Sequence, residues 1–381
     1  MTLPSTTPGK AWDERNAVEI RRYASAGDID HTCSGAYEFV VPGCSGGRLD
    51  ITALYIPKAS RTLIVSFHGS LQRSKFTLPR FEWRNTIAPF DAAQLFVADS
   101  SLHINRAMAL AWYIGNSEQD FSSDVADLIK DIAAAAGYDR ILLTGSSGGG
   151  FAALAISRQI DGSAAVCFSP QTRVGDYVNS VVSTFYRACF PGMGGYAAVE
   201  RAHRSRFDLR HLYAATPDNN FVRFVQNTRD TDHYSKHYAP FATMRGVDPA
   251  VGGLDASGRI EFVPLALQAG HVPPPRGRFR QHLQAAHAAF FGSDLNSLDA
   301  GDSRTAGSRR SESTPTHEAR RGPAIEPGPV TDSDHPANAS IERQVWQTTR
   351  RILVRGFHFA KKLRKRLRCL VRSFATSWRR M

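Results

Sequence analysis

The sequence predicts an α/β fold, a mostly parallel sheet with helices on both faces, followed by a disordered linker and a C-terminal basic amphipathic helix. Three observations carry this. Short apolar runs alternate with helical patterns from about residue 36 to 292, as crossover connections between parallel strands require. One of those runs, in Arg140 to Gly150 (RILLTGSSGGG), passes straight into Gly145-Ser146-Ser147-Gly148-Gly149 and then the helical Phe151-Ala152-Ala153-Leu154-Ala155. The third is an abrupt change of composition after residue 292.

In chain order, residues 1–35 read as an N-terminal extension. Tyr37–Val41 and Leu49–Tyr55 read as an antiparallel start, the second alternating Ile51, Ala53 and Tyr55. The parallel strands are placed at Leu63–Phe67, Leu95–Ala98, Ile141–Thr144, Ala164–Phe168, Phe221–Val225 and Ile260–Leu267. Ser122-Ser123-Asp124 can cap a helix whose Val125, Leu128, Ile129 and Ile132 recur at helical spacing, stopped by Gly137. A helix over Phe279–Phe291 closes the domain, which is therefore placed at 36–292.

From residue 293 to 340 the sequence turns to Ser, Thr, Pro, Gly, Asp, Glu and Arg, with Leu295, Leu298, Ile325 and Val330 as the only large aliphatics. Such a segment buries too little apolar surface to offset the cost of ordering it, and reads as a disordered linker. Over 341–381, Trp346, Leu353, Phe357, Ala360, Leu363, Leu367, Leu370, Phe374 and Trp378 advance by three, four or seven. Arg350, Arg351, Lys361, Lys362, Arg364, Lys365, Arg366 and Arg368 fill much of the remainder. That pattern suits an interfacial helix on an anionic membrane surface, with nucleic-acid binding as the less favoured use of the same charges.

At 381 residues, 42% hydrophobic and 22% charged, the chain affords a sizeable core. The net charge of +12 is localised: Glu342–Met381 hold 13 of the 47 Lys and Arg and one of the 35 acids, leaving the rest formally neutral. Cys33, Cys44, Cys167, Cys189 and Cys369 lack C-x-x-C spacing and read as reduced thiols, with a Cys33–Cys44 disulfide as the alternative. The first residues hold no apolar run of signal-peptide length and no apolar stretch is long enough to span a bilayer. The expected location is cytoplasmic, peripheral to the inner face of a membrane.

A serine hydroxyl becomes a competent nucleophile when backbone presents it at a helix start beside a base and N–H donors. Ser147 is the candidate, with Gly145 and Gly149 sparing the tight turn a clash. The alternative is a structural Gly-rich turn or phosphate cradle, although no Lys follows the glycines as a phosphate loop would require. The base and its orienting acid should follow later strands in the order acid, then His. Asp230 lies just past Phe221–Val225, with Asp232 as the alternative acid, and His271 follows the last strand in a Gly/Pro-framed loop. His103, His233, His237 and His287 match no strand end and read as surface or packing residues. Oxyanion donors are expected from the Gly148 amide and from the loop after Leu63–Phe67: the Ser70 amide, or failing that Gly69, with His68 shaping the loop. No metal or other cofactor is called for.

These residues resemble the α/β-hydrolase superfamily over about residues 36–292. Within it, FHGS, AWYIG (Ala111–Gly115), LLTGSSGGGFAAL, SPQT (Ser169–Thr172) and VQNTRDTDHYSKHYAPF are similar to a bacterial subgroup of accessory-secretion and surface-glycan proteins with O-acetyltransferase-like activity. The resemblance implies a Ser147-Asp230-His271 triad, an acyl-enzyme, and hydrolysis of an acyl ester or transfer of the acyl group to a glycan hydroxyl. The competing reading is a catalytically inactive hydrolase scaffold that binds or targets at membranes or in a glycan-assembly or secretion complex. The linker and basic helix have no counterpart in the family pattern.

Overall fold

The computed structural model describes residues 11–43, 49–214 and 218–295. The expected linker from 296 onward and the basic helix at 341–381 lie outside the described residues, as does Cys44.

One sheet holds eleven described strands: β1 (Ala11–Asp13), β2 (Val18–Arg22), β3 (Tyr37–Val41), β4 (Ile51–Ile56), β5 (Thr62–Phe67), β6 (Ala93–Val97), β7 (Arg140–Ser146), β8 (Ala164–Phe168), β9 (Phe221–Asn227), β10 (Gly253–Leu254) and β11 (Ile260–Leu265). Their order is β1-β2-β3-β4-β6-β5-β7-β8-β9-β11-β10. From β5 to β9 and on to β11 the neighbours run parallel, while β4 runs antiparallel to both β3 and β6. This is the α/β-hydrolase arrangement, and the expected strands are all present within a few residues.

Two expectations change. Residues 1–35 are not wholly an appendage, because β1 and β2 join the sheet, β2 running parallel to β3 with Arg21 opposite Phe39. The cap of the first long helix, Phe121–Ala136, is Asp120, whose carboxylate accepts from the Ser123 amide at 3.3 Å, rather than the Ser122–Asp124 cluster. The predicted stop at Gly137 holds, in the left-handed region at φ 75°.

The central strands are apolar throughout because both faces are covered. Leu63, Val65 and Phe67 of β5 face one core with the Phe121–Ala136 and Gly148–Ser157 helices, while Ile64 faces the other with Phe279, Leu283 and Ala286 of the Arg276–Phe291 helix. Every residue of the Gly148–Ser157 helix is buried. The carboxyl ends of β5, β7, β8, β9 and β11 therefore open onto one edge, where an α/β sheet places its ligands. Cys33, Cys167 and Cys189 are free thiols. Among the described residues no helix is long and apolar enough to cross a membrane.

Candidate active site

β7 ends in a turn so tight that glycine is needed for space rather than for dihedral freedom. A Cβ on Gly145 would lie 2.4 Å from the Gly149 carbonyl, and one on Gly149 2.4 Å from the Phe67 carbonyl oxygen. The unusual backbone falls on Ser147 itself, at φ 57° and ψ −121°, immediately before the Gly148–Ser157 helix. A non-glycine residue there carries strain of about 1–3 kcal/mol, tolerated where the surroundings over-determine it. Here they do: the Ser147 amide donates to the Phe168 carbonyl at 3.0 Å and its carbonyl accepts from Phe151 at 3.0 Å. Only 7% of Ser147 is exposed.

Asp230 sits where β9 ends and caps the turn that follows, its carboxylate accepting from the His233 amide at 3.4 Å. The same carboxylate holds two histidines. His271 Nδ1 lies 2.5 Å from Oδ2, and His233 Nδ1 lies 3.2 Å from each oxygen. The imidazoles stack in parallel, with centroids 3.7 Å apart and planes 9° apart. Burial works against a charge on Asp230, but the hydrogen bonds from His233 and then His271 outweigh it and hold the carboxyl below its usual range. Burial, then the neighbouring His233, push His271 down to about 4 against the opposing pull of Asp230. Asp232, the alternative acid, points away: its side chain is 82% exposed and faces Lys236 at 3.8 Å.

Gln171, two residues past the Ser169 that follows β8, ties the serine to this pair. Its buried Nε2 donates to Ser147 Oγ at 2.8 Å and lies 2.8 Å from His233 Nε2, while its Oε1 accepts from Trp112 Nε1 at 3.2 Å. One amide thus joins the end of β7 to the turn after β9. His233 and Gln171 were missed by sequence reasoning. The available signals were the i, i+3 spacing of Asp230 and His233 in one helical turn, and a polar residue just beyond the end of the strand next to the elbow.

The loop after β5 lies against the elbow, a Cβ on Gly69 being 3.7 Å from Ser147 Cβ. Its Gly69 amide, however, donates to Glu82 Oε2 at 3.1 Å, so Gly69 is corrected as an oxyanion donor. Burial raises the pKa of Glu82 against the opposing effects of Arg80 and the Gly69 amide. Ser70 is exposed at the lip of this loop. His68 shapes the loop as expected: Nδ1 is 2.8 Å from the Gly69 carbonyl and Nε2 accepts from the Asp99 amide at 3.1 Å.

Of the expected residues, Asp230 and His271 meet directly, and Ser147 joins them through Gln171 and His233. Asp230, His233 and His271 also have donor atoms within 4.8 Å of one another. In-plane lone pairs on two parallel stacked rings run side by side instead of converging on one ion, so the arrangement suits proton transfer better than metal ligation.

No protein-family model matches the sequence, and no curated protein does. Among solved structures, the chain is similar to the capsule O-acetyltransferase of Neisseria meningitidis serogroup A, at 15% identity and TM-score 0.48, over 65% of this chain and 94% of that one. It is similar to the glycosylation-associated Gap123 complex of Streptococcus agalactiae, at 14% and 0.48, over 64% of this chain and 45% of that one. It is also similar to carboxyl esterase 2 of Tuber melanosporum, at 13% and 0.42, over 71% and 91%. These likenesses concern the fold.

Proposed function

We propose that the protein is a serine-dependent ester hydrolase or acyltransferase that works through an acyl-enzyme on Ser147. The observation that carries this reading is a serine held at φ 57° on a strand-to-helix elbow, linked through Gln171 to a buried acid bearing two imidazoles. Neither element serves packing well, since strain and a buried charge both cost stability.

In this mechanism His271 gives its Nδ1–H to Asp230, so Nε2 is the atom that takes the Ser147 proton as Oγ attacks the ester carbonyl. The carbonyl π pair moves onto oxygen, and the amides of Gly148 and Ser70 receive the oxyanion, each such donor contributing roughly 2.7–4 kcal/mol. Collapse expels the alcohol or thiol, which leaves with the proton from His271. Water or a sugar hydroxyl then attacks the acyl carbonyl and loses its proton to His271, and collapse releases the acyl group as Ser147 Oγ takes that proton back. Asp230 stays ionised throughout and stabilises the imidazolium.

The test pairs labelling with product analysis. A fluorophosphonate probe should label the folded protein and not Ser147→Ala. Absence of labelling on the folded wild type overturns the nucleophile and supports the inactive-scaffold reading. p-Nitrophenyl acetate with sugar acceptors then separates hydrolysis from transfer, an acylated sugar marking transfer. The proposal extends to the Lys- and Arg-rich segment 341–381, which would hold the enzyme on anionic lipid at about 1 kcal/mol per basic residue. Liposome flotation of the full chain should weaken when that segment is removed, and unchanged flotation refutes the anchor.

A further inference from the structure

Two histidines share one acid beside one serine, and either could in principle be the base. We propose that Trp112 and Gln171 decide between them: the indole turns the Gln171 amide one way, the amide holds His233 as the neutral Nδ1–H tautomer, and proton transfer falls to His271. The assignment of tautomers stands on its own; its effect on rate rests on Ser147 acting as the nucleophile.

An indole N–H only donates, so the Gln171 atom facing Trp112 Nε1 at 3.2 Å is the carbonyl oxygen. Trp112 and Gln171 are both fully buried, and turning the amide over would set an NH2 against the indole N–H and leave both donors unpaired away from bulk solvent. Nε2 therefore carries its two hydrogens to its two neighbours, Ser147 Oγ and His233 Nε2, each at 2.8 Å. His233 Nε2 must then present a lone pair, and its proton sits on Nδ1, where Asp230 accepts it. The imidazolium and the Nε2–H tautomer are both excluded, since each would aim N–H at N–H. The serine oxygen accepts from the amide, so its own proton is directed elsewhere, and His271 Nε2 is the base that remains once Nδ1 is bound to Asp230.

The backbone supports this role. Trp112 and Tyr113 both adopt positive φ, 53° and 59°, where bulky residues are seldom found. That turn is clamped by the Tyr113 amide on Asp99 Oδ2 at 2.8 Å and by the Tyr113 hydroxyl on the Val97 carbonyl at 2.9 Å. The indole is wedged edge-on against Tyr177 and Phe185. The groups facing the stacked rings are consistent: Asp230, Tyr177 at 6.1 Å from the His233 ring, and His237 at 5.2 Å. His237 Nδ1 accepts from the Thr172 amide at 3.2 Å, and burial pushes its pKa down, so it adds no competing cation. His233, Gln171 and Trp112 are thus positioning residues.

Long-range imidazole 1H–15N spectra of the 15N-labelled full chain at neutral pH test this directly, with signals assigned from single histidine variants. His233 should show Nδ1 protonated and Nε2 bare; an Nε2–H or doubly protonated His233 in the wild type overturns the proposal. In Gln171→Glu the carboxylate still accepts from Trp112 but now also accepts from His233. His233 should become doubly protonated there, with kcat falling about 100-fold and KM little changed. A His233 spectrum unchanged in folded Gln171→Glu also overturns it. Should that variant not fold, the wild-type spectrum decides alone, and Trp112→Phe, which removes the N–H donor together with part of the ring, should broaden His233 between tautomers. Ser147→Ala should leave the tautomers in place. Failure of the nucleophile reading therefore appears as absent probe labelling with the wild-type tautomers intact.

Discussion

Two aspartate–histidine pairs stand at neighbouring strand ends of one sheet edge, and they are built for opposite ends. His68 spends both ring nitrogens on backbone, Nδ1 at the Gly69 carbonyl and Nε2 at the Asp99 amide. Asp99 likewise spends its carboxylate on the amides of Tyr113 and Ser101, at 2.8 and 3.1 Å. Every partner there is fixed main chain. Asp230, besides the His233 amide, meets two imidazoles, and the far nitrogen of His233 faces Gln171 and through it the serine. A histidine tied at both nitrogens can only hold structure, whereas one tied at Nδ1 can move a proton through Nε2.

The largest expected contrast comes from matched changes to the two acids. Asp230→Asn should leave the fold intact and lower kcat roughly 10⁴-fold, because an amide neither stabilises the imidazolium nor fixes the tautomer. Asp99→Asn should do the reverse, costing about 1–3 kcal/mol for a buried amide left without its acceptor, while activity per folded molecule stays within about tenfold. Denaturant unfolding and kcat measured on both proteins check this. Equal losses of kcat would collapse the distinction. Space at the elbow gives a control of the first kind: Gly149→Ala drives a Cβ to within 2.4 Å of backbone oxygen, so soluble protein and activity should vanish together.

Much of this was legible in the sequence, for identifiable reasons. Strands β5, β7 and β8 are buried on both faces and therefore read as unbroken apolar runs, and the elbow follows from glycines that a Cβ would displace. Asp230 and His271, which the structure brings into contact, were read from their place after strands. β1 and β2 were missed because strands of three and five residues with exposed Trp12 carry no apolar run, β2 being held by its pairing with β3 and β1 by its pairing with β2. His233 was dismissed because it follows no strand, yet the turn begun at Asp230 folds it back onto that acid. Gly69 was read correctly as a close-approach glycine, but its amide is claimed by Glu82 from a loop thirteen residues away, a tertiary contact without a local signature.

The two pairs should also part company with pH. With His271 pushed down to about 4, chiefly by burial, the acid limb of kcat/KM in the free enzyme should fall near pH 4 rather than near the ordinary 6.5, measured after brief pH jumps. A limb near 6.5 would show that burial exerts no such hold. Stability follows the same groups with a defined sign. His271 and His282, both at about 4, are charged in the unfolded chain below 6.5 but not in the native one. Their contribution is complete above 6.5 and is lost progressively as pH falls from 6.5 toward 4, so Tm should decline through that window.

The smallest effect sharpens the comparison most finely, because it probes the ground between the two pairs. Glu82 sets a carboxylate on the Gly69 amide, on the loop that His68 shapes and beside Ser147. A negative charge there, paired with Arg80 at 3.6 Å, opposes the oxyanion that would form over Ser147, and burial raises the Glu82 pKa. Glu82→Gln keeps an oxygen to accept from Gly69 and removes the charge. It should raise kcat/KM at neutral pH about threefold, equivalent to roughly 0.6 kcal/mol of barrier, and leave Tm nearly unchanged. The gain should shrink as pH falls toward the range where the native carboxyl itself takes up a proton, which a change of hydrogen bonding alone would not produce. A fall in kcat/KM with an unchanged Tm would instead place the Glu82 charge on the side of catalysis, orienting the loop through Gly69 more than it repels the oxyanion.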